Sequence, residues 1–319
     1  MTPDRRRSVS TPAFRWFAFA SFLSMIIIVL TGAAVRLTGS GLGCPDWPTC
    51  FHHRITGSWS IHPFIEYANR IVTIALVLVA GATFIAALLR QVRRRDLVVL
   101  SGMLILGVVA DAILGAFVVY SKLNPWLVSL HMMLSLSMVV LGAVLYHRSK
   151  YVYGPGARAD VRDPHFRLIA RLLWLPFVAL LISGTMTTGS GPHAGSFQGQ
   201  LVARRLPFAL SSAAWVHSIA AVLFIGLVTG LIFAIWNSSA PQALQFGVRR
   251  LVVISLIQAA IGLTQYLTHL PPLLVELHVA GAVSLSIGVT QFHLRQTAHD
   301  REPGTKKSIE EKKSVVAVA

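Results

Sequence analysis

Eight stretches of this chain are each long and apolar enough to cross a bilayer, and no other feature limits its fold as strongly. A spanning helix needs about 20 mostly apolar residues. Residues 15–35, 64–90, 97–120, 125–147, 167–187, 207–236, 248–269 and 272–294 supply them. With 54% hydrophobic residues, 13% charged residues and a mean hydropathy of +0.65, the chain is too apolar for a soluble globular domain. The expected fold class is an all-α integral membrane protein.

The eight spans divide into two copies of one four-helix unit. Asn124-Pro125-Trp126-Leu127-Val128-Ser129-Leu130-His131 aligns with Pro271-Pro272-Leu273-Leu274-Val275-Glu276-Leu277-His278, 147 residues on. A second matched pair breaks the rule, because His217 aligns with Asn69, 148 residues back. The predicted organisation is an N-terminal bundle over 15–150 and a C-terminal bundle over 167–295, flanked by tails at 1–14 and 296–319 and joined by a linker at 151–166. The first span is too long for a signal-peptide core and is read as retained. The charged last segment, with Lys306-Lys307 and Glu310-Glu311-Lys312-Lys313, reads as a disordered tail.

An even number of spans puts both termini on one side, and basic residues concentrate in short cytoplasmic loops. Assigning the termini to the cytoplasm leaves only Arg36, Arg54, Arg70, Lys122, Arg204 and Arg205 of the 28 Lys and Arg on the outer side. The net charge of +16 then reflects basic residues flanking the spans, where they meet anionic lipid headgroups. Nucleic-acid binding is not indicated.

Polar groups inside a membrane are expensive and mark functional positions. Asn69, His131 and His278 each follow a proline by six residues (Pro63, Pro125, Pro272), and His217 follows Pro207 by ten. At about 1.5 Å rise per residue, all four sit in the outer half of the bilayer. Two imidazoles facing each other across a bundle suit a six-coordinate haem iron, so His217 and His278 are predicted to ligate a haem in the second half. Zinc would want three or four ligands, and copper would want Cys or Met beside the histidines. In the first half His131 faces Asn69, a poor iron ligand, so a haem held there has one weakly ligated face open to a reactant.

Glu66, Asn69 and Arg70 share a helical face. Glu66 is either one half of a structural ion pair with Arg70 or an acid or base above the substrate. Cys44 and Cys50, the only cysteines, lie in the first outer loop, where a close pair is readily disulfide-bonded. That bond is either a loop staple or redox-active, and His52 and His53 are too few for a metal site beside it. Arg36, Arg70, Arg204 and Arg205 stand near the outer helix ends, where haem propionates would point; Arg204 and Arg205 equally suit lipid headgroups. Asp111 is unassigned beyond a bond to Ser or Thr on a neighbouring helix, and Glu276 is read as solvated.

Thr38-Gly39-Ser40-Gly41-Leu42-Gly43-Cys44-Pro45-Asp46-Trp47-Pro48-Thr49-Cys50, then Glu66-Tyr67-Ala68-Asn69-Arg70, then the three intramembrane histidines, resemble the haem A synthase family over about residues 14 to 295. The resemblance implies an oxidoreductase of the bacterial cell membrane that converts the C8 methyl group of haem O to the formyl group of haem A, for use by terminal oxidases. It implies a resident b-type haem on His217 and His278, haem O near His131, a catalytic role for Glu66 with Asn69 and Arg70, and the Cys44–Cys50 pair as the family's outer-loop cysteines. Haem O synthase and a terminal oxidase are the partners it suggests, with an unnamed electron donor or acceptor and room for a homo-oligomer. Two departures stand out. The family motif is usually Glu-x-x-His-Arg, with Asn known in some bacterial members, and a second cysteine pair found in some relatives is missing between Met186 and Pro207. The competing readings are a di-haem cytochrome b-type electron-transfer protein and a haem transporter, whose spans are usually broken mid-membrane.

Overall fold

The computed structural model describes residues 8–44, 46–47, 49–50, 60–151, 159–160, 164–196, 203–236, 242–295 and 297–298. Among these, nine helices account for almost all of the chain: α1 (Thr11–Leu37), α2 (Ile61–Leu88), α3 (Arg95–Tyr120), α4 (Pro125–Ser149), α5 (Pro164–Leu172), α6 (Trp174–Ser190), α7 (Leu210–Trp236), α8 (Gln242–Leu267) and α9 (Pro272–Arg295). Eight segments are long and apolar enough to cross a membrane, the fifth running from the end of α5 through α6 (Leu168–Ser190). The all-α fold with eight spans is as expected. A two-residue antiparallel pairing of Ala159–Asp160 with Thr297–Ala298 is the one addition, and it ties the linker to the start of the last tail. Residues 1–7, most of the linker and 299–319 lie outside the described residues, as do His52, His53 and Arg54.

Local signals set where the helices begin. Ser10 caps α1 by accepting from the Ala13 N–H at 3.3 Å, and Asn124 caps α4 by accepting from the Trp126 N–H at 3.0 Å. Pro125 and Pro272 open α4 and α9, where a missing N–H costs nothing. Pro207 does not open α7, which begins three residues later at Leu210. The apparent difference in depth of His217 therefore disappears: counted from their own helix starts, Asn69, His131, His217 and His278 lie six to eight residues in, about 9 to 12 Å of rise.

The duplication is visible in the backbone itself. α3 ends with Lys122 and Leu123 at φ 56° and 61°, and α8 ends with His269 and Leu270 at φ 64° and 62°. Left-handed non-glycine residues cost of order 1 kcal/mol or more each, and here the same bonds hold them in both halves. The Leu123 N–H reaches the Val118 carbonyl (2.8 Å) and the Leu270 N–H reaches that of Gln265 (2.7 Å), the six-to-one bond of a Schellman motif. Each turn reverses the chain within a few residues, so α4 packs back on α3 and α9 on α8.

In the first bundle α1, α2, α3 and α4 form a closed ring, α1 meeting both α2 and α4. Its core contains Phe14, Met25, Leu76, Leu97, Leu104 and Leu136. The second bundle packs α6, α7, α8 and α9 in order around Phe177, Phe224, Leu251 and Phe292. The halves meet through α4 against α9, flanked by α4 against α6 and α1 against α9. Val283 of α9 belongs to the first bundle's core, so the interface is continuous with it.

Both ends of the molecule are tied by polar bonds. At the end carrying the start of α1, Arg90 is fully buried and donates to Val92 O (3.0 Å), Thr11 Oγ1 (3.0 Å) and Tyr151 O (3.1 Å). Arg94 donates to Arg148 O and Tyr151 O and pairs with Asp96 at 2.6 Å. Burial, helped by Arg94, lowers the Arg90 pKa to about 10, leaving it charged at neutral pH. The sequence places these arginines among lipid-facing charges; the structure uses both to close a loop. At the opposite end, Gly41 N–H bonds Gly195 O at 2.9 Å, and Arg36 donates to His193 O (2.8 Å) and Thr188 O (3.0 Å), joining the halves.

Candidate functional site

In the second half, His217 of α7 and His278 of α9 face each other with ring centroids 6.2 Å apart and planes at 82°. Metal–imidazole bonds run to about 2 Å each, so this gap admits one ion shared between the rings. Ser183 of α6 sets the orientation of His217: its hydroxyl lies 3.1 Å from Nδ1 and donates its proton to Leu180 O at 3.0 Å. With that proton committed, Oγ accepts from Nδ1–H, which leaves the Nε2 lone pair for a ligand. His278 Nδ1 is buried with no hydrogen-bond partner among the described residues. Each ring also rests on a glycine of the adjacent helix. A Cβ at Gly184 would lie 3.1 Å from His217 Cε1, and one at Gly262 would lie 3.1 Å from His278 Cε1.

The corresponding place in the first half has a different chemistry. Thr31 of α1 donates to Asn69 Oδ1 at 2.8 Å, so the amide nitrogen turns away from Thr31. Beyond its own stretch of helix, no described atom lies within 4 Å of where a Cβ on Gly32 would stand, whereas the ring of His217 crowds Gly184. His131 of α4 rests against Gly115 of α3, with 3.4 Å between Cε1 and a Cβ there. Its Nδ1 lies 2.8 Å from Oδ1 of Asp111, whose Oδ2 accepts from Ser135 Oγ at 2.5 Å. The expected serine bond of Asp111 is present; the contact with His131 was not foreseen.

Glu66 and Arg70 organise the described part of the loop between α1 and α2. Glu66 is 5% exposed, accepts from the Cys44 N–H at 2.8 Å through Oε2 and pairs with Arg70 at 2.5 Å through Oε1. Arg70 donates further to Asp46 O (2.6 Å), Thr49 O (2.7 Å) and Cys44 O (3.3 Å). Cys44 and Cys50 form a disulfide, both fully buried. Gly43 explains the tight seating of this loop: a Cβ there would come within 2.7 Å of the His62 backbone. Gly43 therefore lies directly on the start of α2.

The cations proposed for propionates are in unlike states. Arg36 and Arg70 are engaged with backbone carbonyls, so a propionate would have to exchange with those bonds. Arg204 and Arg205 are exposed and show no hydrogen bond or ion pair among the described residues. Glu276, read as solvated, has Oε2 buried without a hydrogen-bond partner among the described residues. Its helix packs against α8 and against α4 and α1 of the first bundle.

The glycines beneath the three rings and the hydroxyls of Thr31 and Ser183 were missed by sequence reasoning. A signal existed, since each hydroxyl is followed by a glycine, in Thr31-Gly32 and Ser183-Gly184, and Gly115 and Gly262 are 147 residues apart like the histidines they support. Thr38-Gly39-Ser40-Gly41 likewise recurs as Thr188-Gly189-Ser190-Gly191.

The sequence pattern of the cytochrome oxidase assembly protein family COX15-CtaA matches residues 15–60 and 56–289. A protein of Bacillus cereus named heme A synthase is 22% identical to this chain over 273 residues, 83% of this chain and 87% of its own length. The heme A synthase of Bacillus anthracis has the same identity and coverage. That of Exiguobacterium sibiricum is 27% identical over 170 residues, 52% of this chain and 57% of its own.

Proposed function

The chain belongs to the cytochrome oxidase assembly protein family COX15-CtaA, and from that premise we propose that it is a haem A synthase, an oxidoreductase that converts the C8 methyl group of haem O to the formyl group of haem A. The observation that carries this reading is the pair of unlike sites at matched places, His217 with His278 in one half and His131 with Asn69 in the other. An electron-transfer chain gains from two saturated haems; an enzyme acting on a haem needs one site for a cofactor and another that receives the substrate.

The second-half residues fit a resident b-type haem. His217 and His278, facing each other and one with its Nε2 left free by Ser183, would hold its iron, and the exposed Arg204 and Arg205 would be available to its propionates. When bound there, such a haem supplies one-electron transfer. In the first half His131 is the iron-facing ligand of haem O, and Asn69, with Oδ1 tied to Thr31, offers an amide N–H₂ in place of a second ligand. Glu66, at the roof of this half, accepts or returns protons as the methyl group is oxidised, while Arg70 and the disulfide loop hold it in position.

The distribution of Lys and Arg supports a topology in a bacterial cell membrane with both termini in the cytoplasm and the disulfide loop on the oxidising outer face. Haem O synthase and a terminal oxidase stand before and after it in the same chemistry. The test is chromatography with mass detection of haems extracted from cells that make haem O, with and without this chain. Haem A or its hydroxylated precursor is expected with the chain present. An unchanged haem O pool, with b-type haem bound to the protein, would favour electron transfer instead.

A further inference from the structure

The two halves differ at a second matched position besides Asn69 and His217. Asp111 of α3 and Gln258 of α8 are 147 residues apart, the same spacing as His131 and His278. In the first half, Asp111 Oδ1 lies 2.8 Å from the ring Nδ1 of His131. In the second, Gln258 Nε2 instead donates to the backbone carbonyl of His278 at 2.9 Å, and the ring Nδ1 has no hydrogen-bond partner among the described residues. The half that lacks an opposing histidine thus has a carboxylate behind the histidine it retains.

We propose that Asp111 is a positioning residue for the substrate haem: it holds His131 by Nδ1–H so that Nε2 points at the iron, and it makes this single axial ligand a stronger donor than either second-half histidine. The inference rests on the reading of His131 as the ligand of haem O. Ligating histidines characteristically give their other N–H to a carboxylate, which fixes the ring and raises its basicity.

A purely structural role leaves the residue type unexplained. Ser135 Oγ donates to Asp111 Oδ2 at 2.5 Å, and a neutral amide would accept that bond equally well. A carboxylate inside a membrane bundle is costly unless a second donor faces it, and the ring N–H of His131 is that donor. In the structure Oδ1 sits off the N–H axis, so the two atoms are close without a formed hydrogen bond. Such bonds are commonly poorly aligned without substrate and tighten when it binds. Gly115, one turn beyond Asp111 on α3, leaves room for the ring edge at 3.4 Å. Its neighbours thus bracket the imidazole on two sides and leave Nε2 open.

The test titrates haem B into the purified full-length protein carrying its resident haem, and reads the dissociation constant of the added haem and its ferrous iron–histidine stretching frequency by resonance Raman. Asp111→Asn and Asp111→Gln, the latter copying the second half, are expected to weaken binding about 10- to 100-fold and to lower the stretching frequency. Asp111→Glu restores both in part, and Ser135→Ala leaves the frequency unchanged. An unaltered low-spin signal from His217 and His278 reports intact folding; if Asp111→Asn does not assemble, Asp111→Gln carries the comparison. Wild-type affinity and frequency in the Asn and Gln variants would overturn the inference. His131→Ala separates this from the reading beneath it: loss of the stretching band there, with no effect at Asp111, sinks only the present proposal. A band that survives His131→Ala sinks the ligand assignment itself.

Discussion

Glu66 has both carboxylate oxygens occupied, one by the Cys44 N–H and one by Arg70, and this decides what substitution there will do. Removing one member of a buried ion pair leaves the other uncompensated, at about 3–5 kcal/mol. Glu66→Ala is therefore expected to loosen the disulfide loop as well as abolish product, which makes it a poor probe of chemistry. Glu66→Gln keeps a carbonyl for the Cys44 N–H but loses the charge paired with Arg70 and turns an N–H₂ toward it, so part of that cost remains. Its expected outcome is a protein that forms no haem A, with wild-type resident haem spectrum and a thermal midpoint below wild type but above that of Glu66→Ala. Product formation at the wild-type rate in Glu66→Gln would return Glu66 to a structural role. The ion pair could be anticipated from the i, i+4 spacing of Glu66 and Arg70. Its capture of a loop backbone could not, because hydrogen-bond partners 20 or so residues apart leave no periodic trace.

Helices here are positioned by a few bonds at their ends more than by capping alone. The described part of the loop between α1 and α2 is fastened by the Cys44–Cys50 disulfide, by Arg70 on the Asp46, Thr49 and Cys44 carbonyls, by Glu66 on the Cys44 N–H, and by Gly41 on Gly195 of the other half. A disulfide closing so short a loop contributes about 2 kcal/mol in the chain-entropy account. Replacing both cysteines with serine is expected to lower the thermal midpoint by a few degrees and to speed proteolysis in this loop. The low-spin haem proposed for the second half should be untouched, since none of these bonds reaches His217 or His278. Loss of activity in that variant with both spectra and stability preserved would instead mark the bond as redox-active.

Across the whole molecule, one architecture serves two sites that differ at only a few positions. The Schellman turns at Lys122-Leu123 and His269-Leu270, the glycine supports at Gly115 and Gly262, and the hydroxyls of Thr31 and Ser183 recur in both halves. Asn69 and Asp111 depart from it. Asn69→His should accordingly rebuild a pair like that of the second half, using Thr31 as Ser183 is used and the open space at Gly32 for the ring. The expected result is a second low-spin haem signal, seen by electron paramagnetic resonance, with haem A production reduced as the reactive face becomes saturated. A variant that binds no additional low-spin haem would show that the first half is not a mirror of the second.

Span number, the duplication, the matched histidines and the odd Asn69 were all legible in the sequence, because bilayer thickness imposes a length on every apolar run and a repeat preserves spacing. The ion pair at Glu66 and the pairing of Cys44 with Cys50 were legible as local spacings too. Tertiary structure alone decided that Asp111 stands behind His131, that Arg36, Arg90 and Arg94 bind backbone carbonyls, and that His217 faces His278 at 6.2 Å. Each of those contacts joins helices whose relative rotation is set by packing, and the all-round apolar surface of a membrane helix carries little information about which face turns inward.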